Sequence, residues 1–285
     1  MATIIDGKKV SENVRWQISK EREAFEKKTG ITPGLAVIIV GEDPASQIYV
    51  RNKAKACEEV GFYSEIHRLP EETNEEELLS LVKSLNKNEK IHGILVQSPL
   101  PKHLDEALVV NNIDYRKDVD AFHPVNVGKI MIGDYSFLPC TPAGVMELLK
   151  AYDIDVCGKE CVVIGRSNIV GKPMAMLLLH ANGTVTIAHS RTKNLAEVTK
   201  RADIVVVAVG KANFLTGEMI KDGAVVIDVG MDRDENGKLC GDADFESCEK
   251  KASFITPVPG GVGPMTITML MKNTLTSAMK FAEEK

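Results

Sequence analysis

Apolar residues fall along this chain in two rhythms. The runs Leu35–Val40, Gly93–Gln97, Cys161–Ile164, Asp203–Gly210 and Gly223–Gly230 have the length and branched-chain content of buried parallel strands. Phe62–Leu69 alternates loosely, and Thr184–Ala188 and Ser253–Pro259 read as further strands. Between the strands, apolar positions recur at helical spacing. Residues 8–28 are one such segment, with Val10, Val14, Ile18, Arg22 and Phe25 on one side and Trp16 nearby. Others are 44–60, 71–85, 104–110, 142–150, 174–180 and 265–282. Asp43-Pro44 and Thr141-Pro142 supply an N-cap followed by proline at the first helical position, and Gly61 and Asn182-Gly183 stop helices. Residues 121–140, carrying Gly128, Gly133 and Pro139, read as a crossing between domains. Strands alternating with helices over 285 residues predict two α/β domains, the second built on a doubly wound parallel sheet.

The stretch Cys161-Val-Val-Ile-Gly-Arg-Ser-Asn-Ile-Val-Gly-Lys-Pro173 organises the second half. A strand, a glycine turn and a helix aim backbone N–H groups and the positive end of a helix dipole at one spot, which suits a phosphate. The match to a dinucleotide fingerprint is loose. Ser167 stands where the second glycine belongs, and the last glycine, Gly171, falls one place late. A plain strand-to-helix turn with no ligand has the same pattern. After the next strand, an NAD site would carry an acidic residue for the ribose hydroxyls. This chain has His189-Ser190-Arg191, with Arg166 back in the first turn. Two guanidinium groups and a hydroxyl suit a 2′-phosphate and favour NADP over NAD. Pro259-Gly260-Gly261-Val262-Gly263-Pro264 is too specialised for a generic connection and reads as a wall that side chains do not crowd.

In the first half, Ser46, Tyr49 and Lys53 share a helix stripe beside the core stripe of Val50, Ala54 and Cys57. That helix follows a buried strand, at the end where open α/β sheets place ligands. A partly desolvated lysine beside a phenol can act as acid or base; a solvated lysine beside a packed tyrosine has the same spacing. Gln97 ends another strand and should face the same crevice. Asp118, Asp120 and His123 suggest a metal site, but no further carboxylate or His lies near in sequence, and an Asp that binds a ligand's amino group fits better.

A net charge of −5 without a basic run or aromatic cluster excludes a typical nucleic-acid binder. Apolar runs are strand-sized, so neither a membrane span nor a signal peptide is expected. Six scattered cysteines predict reduced thiols and a cytoplasmic setting; Cys157 and Cys161 read as packed thiols rather than a metal site.

Four motifs in order carry a resemblance over almost the whole chain: Tyr49-Val-Arg-Asn-Lys53, Gly93-Ile-Leu-Val-Gln97 with Pro99-Leu-Pro101, Gly165–Pro173, and Pro257-Val-Pro-Gly-Gly-Val-Gly-Pro-Met-Thr266. Lys117-Asp-Val-Asp120 adds a fifth. The sequence resembles the bifunctional methylenetetrahydrofolate dehydrogenase/methenyltetrahydrofolate cyclohydrolase family of the FolD type. The resemblance implies a folate-binding catalytic domain over 1–140, onto which the helix 266–285 packs back, and an NADP-binding domain over 141–265, with an active-site cleft between them. It implies oxidation of 5,10-methylenetetrahydrofolate with NADP, then hydrolysis to 10-formyltetrahydrofolate, in one-carbon metabolism and purine biosynthesis. Lys53 is then the catalytic acid/base, tuned by Gln97. Tyr49 stacks on the folate and helps place Lys53, and Asp120 holds the pterin amino edge. Val96, Ser98 and Pro259, Gly260, Gly261, Val262 and Gly263 line the substrate site. Gly165, Arg166, Ser167, Ser190 and Arg191 hold NADP, with Met231 beside the nicotinamide; no metal is expected. The family also suggests a homodimer. Ala121 departs from a position that is often Gly in the family, which shifts that turn, and Arg191 falls at a variable one, which leaves cofactor choice open. A monofunctional dehydrogenase, another two-domain NADP oxidoreductase of the shikimate or amino-acid dehydrogenase kind, and a non-catalytic binding protein are the rival readings.

Overall fold

A computed structural model describes residues 1–284. The chain divides into two compact units, one made of Met1–Glu12 with Thr141–Thr266 and the other of Asn13–Cys140 with the chain from Ile267 on. In chain order the elements are β1 (Thr3–Ile4), α1 (Gly7–Thr29), β2 (Gly34–Val40), α2 (Pro44–Val60), β3 (Tyr63–Leu69), α3 (Glu75–Lys87), β4 (Gly93–Val96), α4 (Glu106–Asn112), α5 (Pro124–Ile132) and α6 (Cys140–Ala151). There follow β5 (Glu160–Ile164), α7 (Gly171–His180), β6 (Thr184–Ala188), α8 (Leu195–Thr199), β7 (Ile204–Val207), a 3-10 turn at Gly217–Met219, β8 (Val225–Asp228), β9 (Asp232–Arg233), β10 (Leu239–Cys240), α9 (Phe245–Glu249), β11 (Phe254–Ile255) and α10 (Val262–Glu283).

The unit built on residues 13–140 has a three-stranded parallel sheet in the order β3-β2-β4. Every residue of β2 is buried. Ala36, Ile38 and Val40 join Leu78, Val82, Leu85 and Ile94 in one core cluster, so by strand alternation Leu35, Val37 and Ile39 face the other way. Asp43 caps α2, its carboxylate accepting from the Ser46 N–H at 2.7 Å, and Gly61 closes it at φ 76°. The helix expected from residue 71 begins at Glu75, because Asn74 and Glu77 form a reciprocal capping box. The supposed connector 121–140 contains α5. Its signals were present: His123 caps it, Pro124 opens it and Gly133 closes it at φ 78°.

The other unit carries a six-stranded parallel sheet, β1-β11-β8-β7-β5-β6. β6 and β7 lie on opposite sides of β5, so the strand order reverses there, where doubly wound sheets bind dinucleotides. Val162, Ile164, Val205, Val207, Val226 and Ile255 fill its core. Residues 1–12, expected with the first domain, belong here, because Thr3 and Ile4 pair with Phe254 and Ile255. Two residues are too few to show strand periodicity. The final helix starts at Val262 rather than 265, so Val262 and Gly263 are its first residues, not loop.

Candidate functional site

Lys53 sits on the third turn of α2 with its residue surface only 8% exposed. Its ammonium donates to Gln97 Oε1 at 2.9 Å, and Gln97 Nε2 donates to the Ser98 carbonyl at 2.7 Å, which orients the amide with its oxygen toward Lys53. Burial lowers the Lys53 pKa, while the negative charge of Asp120 and the nearby Cys140 oppose that. The solvated-lysine reading of this stripe is therefore set aside. Tyr49, one turn earlier, is half-buried, and burial raises its phenol pKa. In the neighbouring core stripe Val50 and Cys57 are buried as expected, whereas Ala54 is only partly covered and Ala56 takes its place.

Asp120 reaches this group because its segment runs along β4. The Ile94 N–H donates to the Lys117 carbonyl at 2.8 Å, and Ile94 and Asp118 form a parallel bridge. Two residues beyond the bridge, Asp120 lies near the end of β4, where Gln97 also sits. Burial raises the Asp120 pKa, and the charge on Lys53 and a hydrogen bond from Cys140 lower it. Asp120 keeps part of its surface open to solvent. The Cys140 thiol is 3.4 Å from Asp120 Oδ1 and 3.5 Å from the Val119 carbonyl; burial holds it well above the ordinary thiol range. Val96, Ser98, Asp118 and Asp120 line one small cavity of about 20 Å³ with Glu106 and Phe122. Ser98 donates its hydroxyl to Glu106, and the Ser98–Pro99 bond is cis.

Asp118 and His123 do not make a metal pair. Asp118 accepts from the His123 N–H and from Asn126 Nδ2, each at 2.8 Å, and His123 Nδ1 accepts from the Val125 N–H at 3.1 Å. Both side chains anchor the start of α5. Among the described residues no group of three or more His, Cys, Asp or Glu is arranged to hold a metal. Ala121 adopts φ 58°, a left-handed conformation that favours glycine and costs Ala roughly 1–2 kcal/mol. Sequence reasoning missed two participants. Cys140 was read only as one of six scattered thiols. Asn273 donates to the Val119 and Leu138 carbonyls, both at 2.8 Å, and holds the backbone beside Asp120. Its signal was an amide at a buried position of an apolar helix.

In the nucleotide-type unit the site is made mainly of backbone. Gly165 ends β5 at φ 136°, and a Cβ there would lie 2.3 Å from the Ala208 carbonyl oxygen. Ser167, in the place of a glycine, accepts from the Val170 and Gly171 N–H groups at 3.1 and 3.2 Å and so satisfies two amides at the start of α7. Arg166, Ser167, Ser190 and Arg191 are exposed just beyond β5 and β6, and His189 Nδ1 holds the turn by accepting from the Arg191 N–H at 3.1 Å. Two exposed guanidinium groups and two hydroxyls beside a glycine turn fit a phosphorylated dinucleotide. Met231 is 47% exposed, and its methyl group lies 3.3 Å from where a Cβ on Gly263 would be. Pro259 is exposed and Gly260, at φ 103°, accepts from the Lys8 N–H at 3.1 Å. Gly261 is packing-driven: its Cβ would meet the Pro257 carbonyl oxygen at 2.5 Å, and Gly7 has no room against the Gly261 carbonyl. Val262 is buried.

Comparisons with known proteins agree with this arrangement. Residues 5–120 match the tetrahydrofolate dehydrogenase/cyclohydrolase catalytic domain, and residues 139–282 match the NAD(P)-binding domain of the same family. The bifunctional protein FolD of Acetivibrio thermocellus is 62% identical over 284 residues, covering 100% of this chain and 99% of that protein. The crystal structure of the bifunctional FolD dehydrogenase/cyclohydrolase of Campylobacter jejuni superposes with a TM-score of 0.96 at 52% identity, over 99% of this chain and 100% of that one. The Trypanosoma brucei enzyme, solved with NADP cofactor and inhibitor, gives 0.94 at 42% identity, over 98% of each chain. The chain belongs to the tetrahydrofolate dehydrogenase/cyclohydrolase family.

Proposed function

We propose that this protein oxidises 5,10-methylenetetrahydrofolate to 5,10-methenyltetrahydrofolate with NADP and hydrolyses that product to 10-formyltetrahydrofolate. The observation that carries the hydrolytic half is the buried Lys53 ammonium held on Gln97. When bound, NADP supplies the hydride acceptor; the methylene carbon loses hydride and becomes the methenyl cation. That step needs no protein acid, so the chain's task is to orient two rings. Gly165, Arg166, Ser167, Ser190 and Arg191 bind the phosphates and ribose of NADP, and Met231 borders the nicotinamide.

Hydrolysis does need proton handling. Water adds to the methenyl carbon and gives up a proton to neutral Lys53. The ring C–N bond at N5 then breaks as N5 takes a proton back from the Lys53 ammonium, and the hydroxyl on the former methenyl carbon gives its proton to the amine so freed, and from there to solvent, leaving the formyl group on N10. A lysine with a lowered pKa serves both directions near neutral pH better than a solvated one. Gln97 aims the amine, Tyr49 stacks on the folate and Asp120 binds the pterin amino edge. Val96 and Ser98 line that site, as do Pro259, Gly260, Gly261, Val262 and Gly263. The support for these roles is the match of their motifs to the family and, for Tyr49, Gln97 and Asp120, their position around Lys53. NADP over NAD rests on Arg166 and Arg191. A cytoplasmic homodimer fits six free thiols and β6, one of the two edge strands of the six-stranded sheet; sedimentation of the purified protein tests the dimer. No helix among the described residues is long and apolar enough to cross a membrane.

The test mixes protein with 5,10-methylenetetrahydrofolate and NADP or NAD and follows reduced nicotinamide and the methenyl form together. NADP reduction without lasting methenyl accumulation is expected. Reduction with methenyl accumulating would leave a dehydrogenase only, and no reduction by folded protein would sink the proposal.

A further inference from the structure

Two buried carboxylates in the nucleotide-type unit gather six backbone N–H groups between them. Asp242, fully buried, accepts from Val209 at 2.6 Å, Gly210 at 3.2 Å and Lys211 at 2.6 Å. Asp228, 3% exposed, accepts from Gly230 and Asp242 at 2.9 Å each and from Ala243 at 2.8 Å, while its own N–H donates to Thr256 Oγ1 at 2.7 Å. The fold is cut to fit them. A Cβ on Gly241 would lie 2.0 Å from Asp228 Oδ2, and one on Gly230 2.4 Å from the Asp242 nitrogen. Asp232 adds a third carboxyl within hydrogen-bonding reach of Asp242, and its Oδ2 is buried with no donor in the chain.

These bonds converge on segments at the carboxyl ends of β7 and β8. Val209–Lys211 follows β7, and its neighbour Ala208 is the residue whose carbonyl abuts Gly165. Gly230 and Met231 follow β8. Loops at strand ends usually give their N–H groups to water and stay mobile. Here charge-assisted bonds to a dry carboxylate hold them, and such bonds are about twice as strong as neutral ones.

We propose that Asp242 is a positioning residue for the dinucleotide: its carboxylate fixes Val209–Lys211 after β7, beside Gly230 after β8, which Asp228 holds. The inference rests on the NADP reading of this unit. It is tested with the full-length protein carrying Asp242→Asn, which keeps the shape but replaces one accepting oxygen by an amide. Three quantities are measured: NADPH affinity by fluorescence titration, the NADP kcat/KM of the dehydrogenase, and methenyl hydrolysis. An NADPH Kd raised on the order of tenfold or more, a kcat/KM lowered at least as much, and hydrolysis within about twofold of the parent are expected, since misplacing a binding loop by an ångström costs about that much. Affinity within twofold of the parent overturns the proposal. A parent protein that binds no NADPH overturns the NADP reading instead. Should Asp242→Asn not fold, amide hydrogen exchange on the parent decides. The Val209, Gly210 and Lys211 amides are expected to be protected before NADPH is added and little changed after; amides that exchange freely until NADPH binds overturn it.

Discussion

The two units solve opposite physical problems. In the unit of residues 13–140, the proposed chemistry rests on the buried Lys53 and Cys140 and the half-buried Gln97 and Asp120, with Asn273 bracing the backbone. In the other unit, the side chains offered to a ligand are exposed, and what is buried is the scaffolding: Gly165 against Ala208, and two carboxylates that hold loop amides. Proton transfer by a lysine near neutral pH requires an amine desolvated enough to displace its pKa downward. Holding a polyanion requires backbone donors and cations at fixed positions, and these work well wet. Damage to one unit should therefore leave the other reaction measurable.

The sharpest break of that comparison is Lys53→Met. Methenyl hydrolysis should fall by roughly 10²–10⁴, the usual worth of general acid–base catalysis, while folate binding by equilibrium dialysis persists. Equal loss of both would make Lys53 a binding residue. Next is Gly165→Ala, which forces a methyl group against the Ala208 carbonyl at a φ of 136°. The kcat/KM for NADP should drop on the order of 10–100-fold, with hydrolysis little changed.

A finer probe is the pH profile of hydrolysis, which rises as Lys53 loses its proton. Asp120 favours charged Lys53, so Asp120→Asn should move the rising limb to lower pH. Gln97→Glu puts a carboxylate where the amide oxygen now accepts, favours the ammonium and should move the limb to higher pH. Shifts of the same sign would refute the electrostatic account.

The smallest effect concerns Lys117, which donates to the Leu85 and Asn88 carbonyls and whose pKa burial lowers from 10.5 to about 8. Between those values the unfolded chain binds a proton that the folded chain does not, so stability rises with pH across that window. Urea midpoints at several pH values should show that rise in the parent and a flatter slope in Lys117→Met.

Much of this was legible in the sequence because the central strands β2, β5, β7 and β8 are buried on both faces and several helix caps are explicit. Lys53 was legible from its stripe on the helix that follows a buried strand, and Gln97 from its place just past a strand end; Asp120 comes near that end through the Ile94–Asp118 bridge, which spacing does not show. Cys140 and Asn273 were not legible, since they reach the site from segments 20 and more residues away through packing alone. β1 was lost for another reason: two residues carry no period. Asp228 was read only as part of a strand and Asp242 was passed over, because nothing in sequence shows that a carboxylate will collect three amides.

The central claim is that Lys53 is a desolvated amine. NMR titration of protein labelled with ¹³C at lysine Cε, with the Lys53 signal assigned by its absence in Lys53→Met, measures this directly. A Lys53 pKa below the ordinary 10.5, falling further in Asp120→Asn, is the predicted result. A value at or above 10.5 would contradict the account and leave the hydrolytic step without its base.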